Sequence, residues 1–226
     1  MGGGVVESAL REGGREPGLK LIETLLWDGF GLSRVRLHLA RLEKSAQRLG
    51  WSCDVEVARA ALHNAVEYQH PARLRLTLDA TGKLEVQAFG LPPPQAEWRV
   101  ALAKTTISSG DPWLSVKSTR RGVYDAARAA LPDAVDEVLF LNERGEVCEG
   151  TITNVFFDRG KGLRTPPLSC GLLPGVLRSD LACTKELLFP EHLPHVRLWV
   201  GNSLRGLIPA FYCSQISPPE AHSAGI

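Results

Sequence analysis

Three consecutive prolines, Pro92-Pro93-Pro94, divide this chain. Proline has no backbone N–H to give to a helix or a sheet, so no regular element passes through them. At 226 residues there is length for a unit on each side with its own core. The chain is therefore expected to hold a small domain over 19–91, a linker over 92–95 and a larger domain over 96–226. Residues 1–18 are Gly-rich without a clear period, and read as a mobile arm or a shortened N-terminus.

Ahead of the prolines the hydrophobic period changes once. Leu32, Val35, Leu39, Leu42, Ala46 and Leu49 recur at spacings of 3, 4, 3, 4 and 3, which predicts a helix that stops at Gly50. A strand over Gly18–Trp27 precedes it and a second helix over about Val55–Tyr68 follows. From Arg73 to Leu78 and from Leu84 to Ala88 apolar and polar residues alternate about Thr81-Gly82, the pattern of a β-hairpin.

Beyond the prolines, strands are expected at Arg99–Lys104, Glu137–Leu141, Thr151–Phe157 and Val196–Val200, with helices at Gly122–Leu131 and Val176–Leu188. Strands and helices mix irregularly, which favours α+β over a doubly wound sheet.

Composition removes several function classes. Lys plus Arg number 26 against 25 Asp plus Glu, a net charge of +1, without the basic bias of a nucleic-acid binder. No apolar run reaches about 18 residues, so no membrane span is expected. The acidic, Gly-rich start does not read as a secretory signal. Cys53, Cys148, Cys170, Cys183 and Cys213 are scattered, with no CxxC pair, which fits reduced thiols in a cytoplasm and no metal site.

Several residues could carry chemistry. Lys117 reads as a surface lysine at a strand end or, with a depressed pKa, as a Schiff-base former. Glu149 stands between Val147 and an apolar run; it is a surface glutamate after a hairpin, or a carboxylate for a heterocyclic nitrogen. His38, Arg41 and Ser45 share a helix stripe that is either solvated or, through Arg41, a clamp for a phosphate. Gly171 to Gly175 lead into a helix, as a plain turn or as an anion receptor. Asn202-Ser203 could add phosphate donors or cap a helix.

In this order the blocks resemble one family. They are Ile22-Glu23-Thr24-Leu25, Leu37-His38-Leu39-Ala40-Arg41-Leu42, Lys117-Ser118-Thr119-Arg120-Arg121 with Tyr124-Asp125, and Glu149-Gly150-Thr151-Ile152-Thr153-Asn154. Thr165-Pro166, Leu172-Leu173-Pro174-Gly175-Val176-Leu177-Arg178 and Asn202-Ser203-Leu204-Arg205-Gly206 complete them. The chain resembles the fold type IV, class IV aminotransferases, two-domain enzymes that use pyridoxal 5'-phosphate. The resemblance implies that Lys117 is the Schiff-base lysine and proton carrier, and that Glu149 partners the pyridine nitrogen. It implies Arg41, the backbone of Val176 and Leu177, and Asn202-Ser203 as phosphate contacts, with Thr153 and Asn154 beside the cofactor. A homodimer is implied as well.

Within the family, the lysine block and the Asn202–Gly206 block look most like aminodeoxychorismate lyases, which make 4-aminobenzoate and pyruvate for folate synthesis. The alternatives are a transaminase of D-amino or branched-chain amino acids, or a relative that has lost the cofactor. Substrate carboxylates need cations, and Arg75, Arg120, Arg121 and Arg205 are the candidates.

Overall fold

The computed structural model describes residues 3–214. Residues 20–89 supply a three-stranded antiparallel sheet in the order β1 (Lys20–Trp27), β2 (Ala72–Asp79), β3 (Leu84–Phe89). Its alternation sorts the two faces. Leu74, Leu76 and Leu78 are fully buried under α2 (Val35–Leu49) and α3 (Val55–Asn64), while Arg73 and Arg75 point the other way. Helix α2 ends where Gly50 takes a left-handed conformation (φ 74°) and its N–H returns to Ala46 and Gln47.

The N-terminus read as an arm instead forms helix α1 (Gly3–Gly13), which delivers Leu10, fully buried, to this core. One buried leucine on a Gly-rich segment is too sparse a signal to register as a period. Helix α3 is shorter than expected. Beyond it the chain is drawn to the 27–31 loop, where Trp27 Nε1 donates to Glu67 O at 2.9 Å and Gln69 N donates to Gly29 O at 2.8 Å.

Residues 98–212 supply the second sheet. Its strands are β4 (Trp98–Leu102), β5 (Glu137–Leu141), β6 (Val147–Gly150), β7 (Asn154–Asp158), β8 (Arg164–Thr165), β9 (Thr184–Lys185), β10 (Arg197–Asn202) and β11 (Gly206–Tyr212). They run β10-β11-β4-β5-β6-β7-β8-β9, and β10 also pairs with β7, which closes the sheet on itself. Both β4 pairings are parallel, whereas those of β5 with β6 and β10 with β11 are antiparallel, so the mixed α+β expectation holds. Helix α4 (Gly122–Ala129) lies near its expected place.

Two of the elements expected beyond the prolines change their bounds markedly. The strand read over Thr151–Phe157 starts only at Asn154, because residues 150–153 turn sharply. The fully buried carboxylate of Glu137 accepts from the N–H groups of Thr151 and Ile152 and from the hydroxyls of Thr151 and Thr153, which holds the turn. The helix expected over Val176–Leu188 is only α5 (Val176–Asp180). The chain then extends so that Thr184 N reaches Leu163 O and Glu186 N reaches Thr165 O, pairing β9 with β8.

Candidate active site

The segment carrying Lys117 lies along the free edge of β1. Ile22 N donates to Lys117 O at 2.9 Å, Thr119 N donates to Lys20 O at 2.8 Å, and Leu21 bridges Ser118. These backbone bonds set Lys117 into a cavity of about 520 Å³ that residues of both sheets line. Lys117 Nζ makes no hydrogen bond among the described residues. Burial, with the charges of Arg41 and Arg121, lowers its pKa to about 8 against the opposing pull of Glu23 and Glu149.

Glu149 enters the same cavity from the end of β6, and the turn held by Glu137 sets it opposite Asn154. Its carboxylate accepts from Tyr124 Oη at 2.7 Å, from Leu173 N at 3.1 Å and from Asn154 Nδ2 at 3.4 Å. Burial pushes its pKa up to about 7 in spite of those donors and the charges of Lys117 and Arg121. Thr153, in the turn, gives its hydroxyl to Glu137 at 3.0 Å.

A third corner of the cavity is basic. Helix α2 presents His38 and Arg41, and Arg41 grips the buried Glu23 through Nε (2.8 Å) and Nη2 (2.7 Å). His38 Nδ1 lies 2.6 Å from the same carboxylate and Nε2 lies 2.7 Å from Ser203 Oγ. Burial would raise the Glu23 carboxyl, but Arg41 and His38 outweigh it and hold the pKa at about 2. Val176 and Leu177 open α5 at this corner, and the first N–H groups of a helix have no intrahelical acceptor. Asn202 is used in the β10–β11 hairpin, where no helix begins. Its Oδ1 accepts from Leu204 N and Arg205 N, and its Nδ2 donates to Ile152 O.

Gly175 is required by this packing. A Cβ there would stand 1.8 Å from Asn154 Oδ1, whose amide is tied to Leu173 O and Glu149. Gly175→Ala is expected to lower stability by about 1–3 kcal/mol in urea unfolding. A loss below about 0.5 kcal/mol would mean that Asn154 turns aside without cost.

The cavity thus brings together Lys117, Glu149, Arg41, Thr153, Asn154, Val176, Asn202 and Ser203. Leu177 adjoins it through α5. Of the arginines proposed for substrate, Arg120 is paired with Glu16 and Arg121 with Asp125 and Thr151 O. Arg75 and Arg205 have no carboxylate partner among the described residues. The sequence reading gave no role to Glu23, Tyr124 or Glu137. Glu23 and Glu137 carried the signal that had singled out Glu149, an acid inside an apolar strand.

Residues 20–210 match the pattern of the family described as amino-transferase class IV. The chain belongs to that family. It is 35% identical over 167 residues to a Schizosaccharomyces pombe protein named for aminodeoxychorismate lyase, covering 71% of this chain and 72% of that one. It is 30% identical over 172 residues to a Thermotoga maritima protein named for branched-chain-amino-acid aminotransferase, covering 72% of this chain but 62% of that one. The fold matches a crystal structure from Mesorhizobium loti, named for an amino-acid aminotransferase, with a TM-score of 0.82 and 43% identity over 86% of this chain and 100% of that one.

The cofactor of this family is pyridoxal 5'-phosphate, and the residues present fit it. An unpartnered lysine amine, a buried carboxylate and a basic corner beside a helix start all face one cavity. Among the described residues no helix is long and apolar enough to cross a membrane.

Proposed function

We propose that this chain is a pyridoxal-phosphate lyase that converts 4-amino-4-deoxychorismate to 4-aminobenzoate and pyruvate. The observation that carries the proposal is the meeting of Lys117 and Glu149 in one cavity, with pKa values moved toward each other, to about 8 and about 7. An amine and a buried carboxylate facing one cavity are the two groups that the aldehyde and the ring nitrogen of the cofactor require. The lyase assignment, rather than the transaminase one, draws on the Schizosaccharomyces pombe relative.

In this reading Lys117 would hold the cofactor covalently until the substrate amine displaces it, and its freed amine would then take the proton from the substrate carbon. Glu149, fixed by Tyr124 and Leu173 N, pairs with the protonated ring nitrogen. Arg41, Ser203, Asn202 and the N–H groups of Val176 and Leu177 receive the phosphate, with Thr153 and Asn154 backing the ring side. When bound, the cofactor supplies an electron sink for the carbon that loses its proton.

The units 19–91 and 96–226 are proposed as the two domains that enclose the cofactor. A homodimer in the cytoplasm is proposed with them, and light scattering showing only a monomer would remove the dimer.

The deciding assay supplies 4-amino-4-deoxychorismate and no keto acid. Equal, repeated release of 4-aminobenzoate and pyruvate is the expected result. The second reading, a transaminase, is favoured by the Thermotoga maritima relative. It predicts no release, with turnover only when a D- or branched-chain amino acid and a keto acid are both present.

A further inference from the structure

The segment that carries Lys117 is braced from outside the cavity by the N-terminal helix. Just ahead of the lysine, Pro112–Ser115 form one turn of 3-10 helix, capped by Asp111 Oδ1, which accepts from Trp113 N at 2.9 Å. Helix α1 packs on this turn. Its place is fixed by Leu10, fully buried in the core beneath the first sheet, and by Gly14 O, which accepts from Trp51 Nε1 at 3.2 Å. Arg48 of α2 ties helix and turn together. It donates to Glu7 Oε1 at 3.0 Å and to Ser115 Oγ at 2.8 Å.

Trp113 is where the helix and the cavity meet. It lines the cavity, and its ring rests on Gly13, the last residue of α1. The Arg120 guanidinium lies 5.0 Å from the ring centre. Glu16, just beyond α1, accepts from Arg120 Nη1 at 2.9 Å. That ion pair is half exposed and holds little by itself, so the firm contact is the one with Gly13. A Cβ at residue 13 would stand 2.6 Å from Cζ2 of Trp113 and 3.3 Å from Arg120 Nη1. Carbon atoms in contact sit at about 3.5–4.0 Å, so any larger residue at 13 drives the ring about 1 Å from its seat.

None of the residues assigned to the cofactor belongs to the 112–115 turn, which leaves Trp113 to the substrate. The wall around it is strongly charged, with Arg73, Arg75, Arg121 and Arg205 among its residues. Trp113 brings the largest apolar side chain to that wall. A rigid indole favours a flat, unsaturated ring, because aromatic pairs gain more than their buried area alone supplies.

We propose that helix α1 shapes the substrate side of the cavity: Gly13 seats Trp113 as an apolar wall, and that wall selects substrates with a flat, unsaturated ring over those with a saturated or branched side chain. Trp113 is then a specificity-determining residue and Gly13 a positioning residue that does not itself line the cavity. The proposal rests on the reading of the cavity as the catalytic site and goes beyond it in giving the N-terminal helix a part in specificity.

The test uses the cofactor-loaded protein and two probes, benzoate and cyclohexanecarboxylate, titrated by calorimetry. Each carries one carboxylate, so the charge they bring is the same. The saturated ring is at least as apolar, so burial alone gives benzoate no advantage. The unaltered protein is expected to bind benzoate at least about threefold more tightly. Trp113→Leu should erase that preference, and Trp113→Phe should restore part of it. Gly13→Ala should weaken benzoate binding at least about threefold while cofactor content stays as it is. Its effect reaches the cavity only through the ring, and it keeps the test open if Trp113→Leu folds poorly. Equal binding of the probes by the unaltered protein, or a preference that survives both Trp113→Leu and Gly13→Ala, overturns the proposal. All titrations are read without turnover. An intact preference with no release of 4-aminobenzoate from 4-amino-4-deoxychorismate would therefore sink the lyase reading alone. Release without any preference would sink the Trp113 wall alone.

Discussion

Lys117→Ala should lower turnover by at least about a thousandfold, since one residue loses both the covalent anchor and the proton carrier. The same change should remove the visible absorbance of the cofactor-loaded protein. Folding should survive it. The bonds that pin this segment to β1 are backbone bonds, from Ile22 N to Lys117 O and from Thr119 N to Lys20 O, and they do not use the side chain. The Nζ also leaves no partner behind, so Tm is expected to stay level or rise as a partly buried amine is removed. In the unaltered protein the attachment of added cofactor should speed up as pH rises through about 8, because only the neutral amine attacks a carbonyl. An ordinary lysine would require a pH near about 10.4. A Lys117→Ala protein that keeps both absorbance and turnover would exclude Lys117 from the site.

What the sequence made legible follows from how local each signal is. Period changes marked α2 and the β2–β3 hairpin, because both are amphipathic and their register depends on near neighbours. The paired residues Glu149 and Asn154 could be located as part of a block, but the turn that makes them face each other could not. It depends on Glu137, more than ten residues upstream, whose carboxylate replaces the missing strand bonds of residues 151–153. Helix α5 was overestimated for a similar reason. Residues 181–188 carry apolar residues that suit a helix, yet pairing with β8 and the bond from Val147 N to Leu188 O take them elsewhere. The strand β11 went unread because its start, Gly206-Leu207-Ile208-Pro209, contains a proline at a register position opposite Trp199. The site's anchors were therefore visible one by one, while the long-range bonds that orient them were not.

Glu23→Ala is expected to be among the most damaging substitutions outside the direct chemistry, at about 3–5 kcal/mol of lost stability. Glu23 is 2% exposed and holds two groups at once, the Arg41 guanidinium through two bonds and His38 through Nδ1. Removing it strands a buried positive charge and frees the ring that contacts Ser203. Cofactor affinity should fall together with stability, because Arg41, His38 and Ser203 are set in place by the one carboxylate. The pH dependence provides a check specific to this group. Its folded pKa, about 2, lies below the ordinary 4.5, so its contribution is complete above pH 4.5 and is lost as pH falls toward 2. Across that window the contribution amounts to about 3 kcal/mol at 1.36 kcal/mol per pKa unit. Urea unfolding of the unaltered protein and of Glu23→Gln, compared from pH 7 downward, should show a gap that is constant above about pH 5 and narrows below it. A gap that stays the same down to pH 3, or one smaller than about 1 kcal/mol at pH 7, would show that Arg41 and His38 do not depend on Glu23.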